Sequence, residues 1–423
     1  MRLTALLVTV APIALALLAP PLAAQSPEAV AAAALEAAPV WDGHNDAPMQ
    51  VRVRRGNVLE GFDFANTQAE PDSAGSDEHS AMHTDLPRLR EGRVGAQFWS
   101  VYVSASLPEP KAVVTTIEQI DITKRLIAAY PDDLALALTA DEVEAAMAQG
   151  KIASLIGMEG GYSIASSLGV LRQMYALGAR YMTLTHNANT PWADSASAAP
   201  EHDGLTEFGV QLVQEMARMG MLIDLSHVSE ATMLDALDAT DAPVIFSHSG
   251  ARAVSGHARN VPDSVLARLP ANGGIVMVVA LPGFINEELR QHNARRAGVL
   301  AETQALWLGQ PQAVAEAMAR FDQENPTPLS TVSDVADHID HIRQVAGIDH
   351  IGIGGDYDGM PSGPVGMEDV SGYPALFVEL ARRGYSQDDL EKIASRNMMR
   401  VMRGAEAFAA SQASLPPIET PVG

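Results

Sequence analysis

Residues 152–161 read IASLIGMEGG, a short apolar run that ends in a glutamate and two glycines. A run of this length beside glycine is typical of a buried strand rather than a helix. Seven further runs of strand length occur along the chain. They cover residues 38–43, 94–103, 179–185, 221–226, 243–247, 274–280 and 351–355. The sequence therefore predicts eight strands.

Amphipathic helical patterns separate these runs. They cover residues 115–130, 169–177, 206–219, 230–238, 332–345 and 388–402. A strand–helix alternation repeated eight times predicts an α/β fold whose parallel sheet closes as a (β/α)8 TIM barrel. A doubly wound open sheet is the alternative. It is disfavoured because no Gly-x-Gly-x-x-Gly pattern opens any of the helices.

The first residues have the pattern of a secretory signal peptide. Arg2 gives a positive start, residues 3–18 are apolar, and small residues precede Gln25. This pattern predicts a signal peptide over residues 1–24, cleaved near Ala24. We therefore expect an exported protein, either periplasmic or secreted.

The remaining chain is predicted to form one domain over residues 25–410. Two intervals, near residues 56–86 and 282–328, are too long for simple connections and are expected to be long loops. The second has its own helical stretch near residues 299–321. Residues 411–423, rich in small residues and proline, are expected to be a flexible tail.

The composition excludes several classes of function. The chain of 423 residues has a formal net charge of −24, and removal of the signal peptide leaves 27 basic against 52 acidic side chains, a balance of −25. This acidity argues against nucleic acid and anionic lipid as partners. The absence of cysteine excludes thiol nucleophiles, cysteine-ligated zinc and disulfides. Any metal must therefore bind aspartate, glutamate and the 12 histidines.

Histidine or acidic residues follow six of the eight apolar runs. They are His44, Asp46, Glu159, His186, His227, His248 and Asp356. The carboxyl ends of parallel barrel strands share one rim, so these side chains are expected to meet there. A single histidine after a strand is commonly structural, but the coincidence at six strand ends predicts a common site. We interpret the histidines of helices and loops as structural or solvated. They are His79, His83, His202, His257, His292, His338 and His341.

Imidazole and carboxylate ligands without thiolate suit zinc, manganese, cobalt or iron better than calcium or magnesium. The set is larger than one tetrahedral ion needs, so a carboxylate that bridges two ions roughly 3.5–4 Å apart is predicted. Such a pair lowers the pKa of a shared water toward about 7 and supplies hydroxide at neutral pH. Asp356 is placed to carry that proton to a leaving group.

Seven motifs resemble the membrane (renal) dipeptidase family of zinc dipeptidases, in a bacterial exported form, and the resemblance runs in order from about Val40 to about Met402. They read DGHND at 42–46, GMEGG at 157–161, LTHN at 184–187 with NTPWAD at 189–194, DLSHVS at 224–229, PVIFSHS at 243–249, RNVPD at 259–263 and GGDYDG at 354–359.

The resemblance implies a barrel of the metal-dependent hydrolase type that binds two zinc ions per subunit. It implies that His44 and Asp46 bind one zinc ion and that His227 and His248 bind the other. Glu159 would bridge the two ions. The implied reaction is hydrolysis of dipeptides, often with a D-residue at the carboxyl-terminal position.

The same resemblance assigns three residues to the substrate. His186 would contact the scissile carbonyl or its oxyanion. Arg259 would hold the substrate carboxylate, for which a planar fork of donors is well suited. Asp356 would be the acid and base.

The sequence departs from the family pattern at two places. Tyr162 occupies the position after the double glycine where relatives commonly have histidine, and residues 280–284 lack most of the aromatic and asparagine residues of the mammalian members. Those members carry a lipid anchor and an intersubunit disulfide. Without cysteine or a hydrophobic C-terminal tail, we expect no stable membrane anchor here, and a homodimer without that disulfide is compatible with the pattern.

Two other functions are compatible with parts of the pattern. The same metal pair suits an amidase for N-acyl amino acids or a hydrolase of β-lactams or lactones, because loops rather than the barrel select the substrate. A non-enzymatic binding protein on a degenerate barrel is disfavoured by the complete ligand set.

Overall fold

A computed structural model describes residues 25–69 and 81–420 of the chain. The predicted signal peptide, most of the acidic segment near residues 72–83 and the last three residues lie outside the described residues.

The strands of the described part form one parallel sheet. They are β1 Val40–Asn45, β2 Val94–Tyr102, β3 Leu134–Leu136, β4 Ile152–Glu159, β5 Ala179–Thr183, β6 Leu222–Asp224, β7 Ile245–Ser249, β8 Ile275–Val278 and β9 Ile351–Ile353. The sheet closes because β2 pairs with both β1 and β4, while β9 pairs with β1. The (β/α)8 barrel and its eight predicted strands are confirmed.

Strand β3 is an addition that the sequence did not reveal. It pairs with residues 152–154 of β4, on the side where β5 begins pairing only at Ile156. The extra strand therefore covers backbone groups of β4 that the barrel itself leaves unpaired.

Helices follow the strands around the barrel. In the described part they are α1 Pro27–Ala37, α2 Ala47–Arg55, α3 Leu86–Glu91, α4 Glu109–Ala129, α5 Ala140–Ala148, α6 Leu168–Ala176, α7 Glu207–Met219, α8 Glu230–Ala239, α9 Asp263–Leu266, α10 Leu269–Asn272, α11 Pro282–Ile285, α12 Glu287–Leu306, α13 Pro311–Glu324, α14 Val332–Val345, α15 Tyr373–Arg382, α16 Gln387–Glu391 and α17 Asn397–Ser411. A π-helical turn, Lys392–Arg396, joins the last two. None of these helices is long and apolar enough to cross a membrane.

The long interval before β9 contains two long helices instead of the single predicted stretch over residues 299–321. Helix α12 ends at Leu306, Gly309 adopts a left-handed conformation, and Pro311 begins α13. Glycine permits the left-handed turn, and proline is tolerated only in the first turn of the new helix. The continuous helix predicted across residues 307–310 is therefore wrong.

The described part of the predicted tail contacts two helices. The Ile418 carbonyl accepts a hydrogen bond from Arg172 of α6, and its amide donates to Glu215 of α7. The domain boundaries themselves stay predictions.

The core has two layers. The barrel interior is filled by large buried side chains that include Trp41, Phe98 and Tyr181. A larger apolar layer lies between the strands and the surrounding helices. Because the interior is packed with side chains, an open cavity can form only beyond the strand ends.

Candidate metal centre

All seven residues predicted from strand ends meet at the carboxyl rim of the barrel. Their ligand atoms form three overlapping groups in which all atoms lie within 4.8 Å of one another. The groups are His44, Glu159 and His248; Glu159, His186 and His227; and His44, Asp46 and Asp356. Six of the seven residues are buried, and His186 is the more accessible one.

Glu159 lies at the centre of this cluster, and its two oxygens face different imidazoles. Oε1 is 3.0 Å from His227 Nε2 and 3.5 Å from His248 Nε2. Oε2 is 3.6 Å from His44 Nε2. His186 Nε2 is farther away, 3.8 Å from Oε1. One carboxylate thus divides the histidines into two sets.

The spacing of these atoms suits metal binding. Donor atoms bound at about 2.0–2.1 Å to one tetrahedral ion lie about 3.3–3.4 Å apart. His227 Nε2 and His248 Nε2 are 3.0 Å apart, and His44 Nε2 lies 3.3 Å from Asp46 Oδ2. His44 Nε2 and Asp46 Oδ1 are buried without a hydrogen-bond partner. The donor set therefore fits two neighbouring cations that share Glu159.

Two of the imidazoles are oriented through their outer nitrogens. His44 Nδ1 lies 2.8 Å from Tyr181 Oη, and His248 Nδ1 lies 2.8 Å from Ser247 Oγ. A Cβ atom at Gly157 would lie 2.0 Å from the Tyr181 ring, so only glycine there admits the phenol. With Nδ1 engaged, Nε2 of each ring points to the centre.

Two buried aspartates brace the backbone behind these histidines. Asp42 Oδ1 accepts hydrogen bonds from the amides of His44 and Gly355, at 3.1 and 2.9 Å. Asp224 Oδ1 accepts from the amides of Ser226 and Ser247, at 3.1 and 2.8 Å. Each carboxylate thus ties its own strand end to the neighbouring one. The sequence signal was present, because each aspartate shortly precedes a histidine of the cluster.

Burial sets the charge of the site. Burial lowers the pKa of His227 and His248 well below the usual value, so their lone pairs are free at neutral pH. Burial opposes ionisation of Glu159, but His44 and His227 outweigh it and hold its pKa well below the usual range. Burial also raises the pKa of Asp46. Glu159 and the neutral rings of His227 and His248 therefore present negative charge and lone pairs to one small volume, which favours a cation.

Asp356 lies beside Asp46 in a strained backbone conformation with φ of 64°. Its amide donates to the His44 carbonyl at 3.2 Å. A Cβ atom at Gly359 would lie 2.3 Å from Asp46 Oδ2 and 2.7 Å from Asp356 Oδ1, so glycine leaves space for both carboxylates. Burial, above all, raises the pKa of Asp356 to about 8. In the metal-free protein this group therefore holds a proton at neutral pH.

Arg259 is buried at the edge of the cluster. Its Nη2 donates to the His248 carbonyl at 3.4 Å, whereas Nε and Nη1 have no hydrogen-bond partner. Burial lowers its pKa to about 10, so it stays a cation at neutral pH. The guanidinium lies 5.3 Å from the centre of the Phe284 ring. A buried cation with free donors is suited to bind an anionic group.

These residues surround a cavity of about 390 Å³. Its wall consists of Asp46, Met49, Tyr102, Glu159, His186, Asn187, His227, His248, Arg259, Leu281, Phe284, Asp356 and Gly359. The volume suits a small ligand, and the wall combines polar groups with the apolar side chains of Met49, Leu281 and Phe284.

Comparison with known proteins identifies the family. The family model described as membrane dipeptidase, peptidase family M19, matches residues 28–415. The chain belongs to this family. It is a metallo-dipeptidase, a hydrolase that acts on peptide bonds, and the resemblance noted in its motifs is confirmed.

Relatives agree with this membership. The chain is 41% identical to dipeptidase 3 of Macaca fascicularis over 386 residues, which is 90% of this chain and 68% of the relative. The probable dipeptidase PvdM of Pseudomonas aeruginosa has the same fold, with a TM-score of 0.74 at 23% identity over 90% of this chain and 99% of that one. A Rhodobacter sphaeroides metallo peptidase, solved with a phosphinate mimic of the dipeptide L-Ala-D-Ala, matches with a TM-score of 0.69 at 24% identity. The match covers 86% of this chain and 99% of that one.

In the dipeptidase, Tyr162 holds the loop that carries His186. Tyr162 Oη accepts a hydrogen bond from the His186 amide at 2.7 Å and donates to the Ala188 carbonyl at 3.3 Å. The Tyr162 side chain therefore acts on the backbone of this loop.

Several residues of the dipeptidase site were missed by sequence reasoning. The apolar side chains that line the cavity, Met49, Leu281 and Phe284, were not predicted. Ser100 and Tyr102 of β2 also reach the site, since Ser100 Oγ donates to Glu159 Oε2 at 3.3 Å and Tyr102 lines the cavity. Their two-residue spacing places both on one face of the strand, and this signal could have found them.

Proposed function

We propose that this metallo-dipeptidase uses two zinc ions, one held by His44 and Asp46, the other by His227 and His248, with Glu159 bridging them. The observation that carries the proposal is the division of contacts at Glu159, with Oε1 toward His227 and His248 and Oε2 toward His44. When bound, such a pair polarises a substrate carbonyl and acidifies a water molecule.

The remaining polar groups have complementary roles toward a dipeptide. Arg259 binds the free carboxylate through its two unpartnered nitrogens. His186, the most accessible imidazole of the cluster, donates to the scissile carbonyl as negative charge develops on its oxygen. Asp356 accepts the proton of the attacking water and passes it to the departing amine.

The cavity volume supports a dipeptide as substrate. About 390 Å³ admits two short residues, and Arg259 marks the carboxyl end. We extend the proposal to dipeptides with a D-residue at that end, as in the mimic bound by the Rhodobacter sphaeroides protein. A tetrahedral phosphinate resembles the geometry of a hydrated peptide bond.

A panel of dipeptides tests the function. We expect zinc-loaded protein to hydrolyse free dipeptides, L,L and L,D, and to turn over the same dipeptides poorly after N-acylation. Metal analysis of the same sample should give two zinc ions per chain. Protein with two zinc ions that fails on the whole panel would falsify the proposed substrate class.

Export through a cleaved signal peptide and assembly as a homodimer are proposed from the sequence pattern alone. We expect the protein released from cells to begin at Gln25. Sedimentation of that material tests the homodimer.

A further inference from the structure

His227 has an unusual backbone conformation for a proposed metal ligand. Its φ is 69°, in the left-handed region that side-chain-bearing residues rarely adopt. The next helix begins three residues later, at Glu230. Such a conformation persists only where surrounding contacts hold it.

The contacts that hold it converge on the His227 carbonyl oxygen. This oxygen accepts hydrogen bonds from the Ala196 amide at 2.7 Å and from Thr185 Oγ1 at 3.2 Å. Ser195 Oγ lies 3.3 Å from it but donates its one proton to the His186 carbonyl, 2.5 Å away. Thr185 and Ser195 are both fully buried. Their hydroxyls therefore connect the strand ends that carry His186 and His227.

The segment that carries Ser195 is itself fixed. The Ser195 amide donates to Asn189 Oδ1 at 2.8 Å, and residue 195 forms a bridge with Val228. The preceding Asp194 carbonyl accepts from the Ser229 amide at 2.9 Å and from Thr232 Oγ1 at 3.0 Å. The backbone around Ser195 is thus held in place, and its contacts with residues 227 and 228 hold the His227 backbone.

The His227 ring lacks the support that the other two imidazoles have. His44 Nδ1 and His248 Nδ1 each contact a hydroxyl, whereas His227 Nδ1 is buried with no hydrogen-bond partner. Apart from the contact of Nε2 with Glu159 and the packing of the ring against His186, the direction of the His227 ring therefore depends on its backbone.

We propose that Thr185 and Ser195 are positioning residues that hold His227 in the orientation in which it binds metal. Thr185 acts through the His227 carbonyl, and Ser195 acts by fixing the segment whose Ala196 amide donates to that carbonyl. This inference rests on the proposed role of His227 as a ligand. It predicts that loss of the two hydroxyls weakens the ion bound by His227 and His248 and spares the ion bound by His44 and Asp46.

Zinc titration of metal-depleted protein against a chromogenic chelator tests the inference. The variants are Thr185→Val, Ser195→Ala and their combination, compared with Thr185→Ser, which keeps the hydroxyl. Ser197→Ala is the matched control, since Ser197 is exposed in the same segment. His227→Ala identifies the binding phase that depends on His227.

In the double variant we expect that phase to weaken about tenfold or more, as is usual when groups behind a metal ligand are lost. In the double variant the affinity of the other phase should match the wild type. The Thr185→Ser and Ser197→Ala variants should have wild-type zinc affinity in both phases. Unchanged zinc affinity in both single variants and the double variant would overturn the inference. So would an equal weakening of both phases together with a lower unfolding temperature of the metal-free protein, since that indicates a general structural role.

Failure of the proposed function has a different signature. In that case the titration of the wild type does not show two zinc-binding phases, or both phases persist in His227→Ala. If Thr185→Val does not fold, Ser195→Ala and its effect on the His227-dependent phase decide the matter.

Discussion

Ser247 Oγ lies 2.8 Å from His248 Nδ1 and donates its own proton to Asp224 Oδ2, 2.6 Å away. Because the hydroxyl proton is committed to the carboxylate, the serine oxygen accepts from Nδ1–H of the imidazole. His248 therefore keeps its Nε2 lone pair directed at the cluster.

This contact predicts the effect of Ser247→Ala. Loss of the hydroxyl releases the His248 ring, so we expect zinc affinity to fall about tenfold or more. Chelator competition measures the affinity, and Ser247→Thr, which keeps a hydroxyl, is the control. An alanine variant with wild-type affinity would show that packing alone orients the ring.

Glu159→Gln tests the bridging carboxylate. The amide keeps the shape but removes the negative charge and one acceptor at the contacts with His227 and His44. We expect metal content to fall below two ions per chain and hydrolysis to be lost with it. Mass-spectrometric metal analysis checks the stoichiometry, and retention of both ions would contradict the bridging role.

Asp356→Asn should separate metal binding from turnover. The variant fills the same space but cannot move a proton, so we expect kcat to fall by roughly 10²–10⁴, the range of general acid–base catalysis. Metal content should match the wild type. If kcat is unchanged, another group carries the proton.

Arg259→Lys should damage recognition of the substrate carboxylate. An ammonium cannot present the two unpartnered guanidinium donors, Nε and Nη1. Loss of one charge-assisted hydrogen bond costs about 1.5–3 kcal/mol, so kcat/KM should fall roughly ten- to hundredfold. The comparison substrate is the dipeptide C-terminal amide. The wild type should discriminate strongly against the amide and the variant weakly, and an unchanged ratio would exclude a carboxylate site at Arg259.

His338 predicts a pH dependence of stability. Its Nδ1 accepts from the Ala251 amide at 2.7 Å and its Nε2 donates to the Ile285 carbonyl at 3.0 Å, so the ring is neutral. Burial lowers its pKa from 6.5 to about 4. Between those values the unfolded chain binds the proton and the folded chain does not. Stability from this group is thus complete above pH 6.5 and falls as the pH decreases toward 4, by about 3 kcal/mol at most.

His338→Gln should reduce the slope of the unfolding free energy against pH between pH 6.5 and 4, while the other buried histidines keep their share. His341→Gln, on the same helix but partly exposed, should retain it. Denaturant titrations of metal-free protein at several pH values measure both. Equal slopes in the two variants would assign the acid sensitivity to other groups.

The sequence pattern of the remaining histidines does not separate buried structural side chains from solvated ones. His338 is fully buried and hydrogen-bonded to Ala251 and to Ile285 at the end of α11, whereas His202 is partly exposed. The sequence does not distinguish the two, since neither lies at the end of a predicted strand. Only the packing of α14 against the barrel distinguishes them.

The strand ends were predictable because a parallel barrel places them on one rim whatever the loops do. His44, Glu159 and Asp356 could therefore be grouped although they are far apart in the chain. Strand β3 and the break between α12 and α13 were not predictable in this way. The first is a three-residue strand that pairs only with β4, outside the ring of eight strands, and the second depends on Gly309 and Pro311 acting together.

The sequence was sufficient to set the donor chemistry of the centre, because a chain without cysteine offers a transition metal chiefly imidazole and carboxylate side chains. It also determined the barrel, through eight short apolar runs and the helices between them. The tertiary structure alone decided which ring nitrogens face inward, that the two oxygens of Glu159 face separate histidines, and that the Arg259 donors stay free. These features depend on contacts such as His44 with Tyr181, 137 residues apart, and local patterns carry no information about pairs so distant.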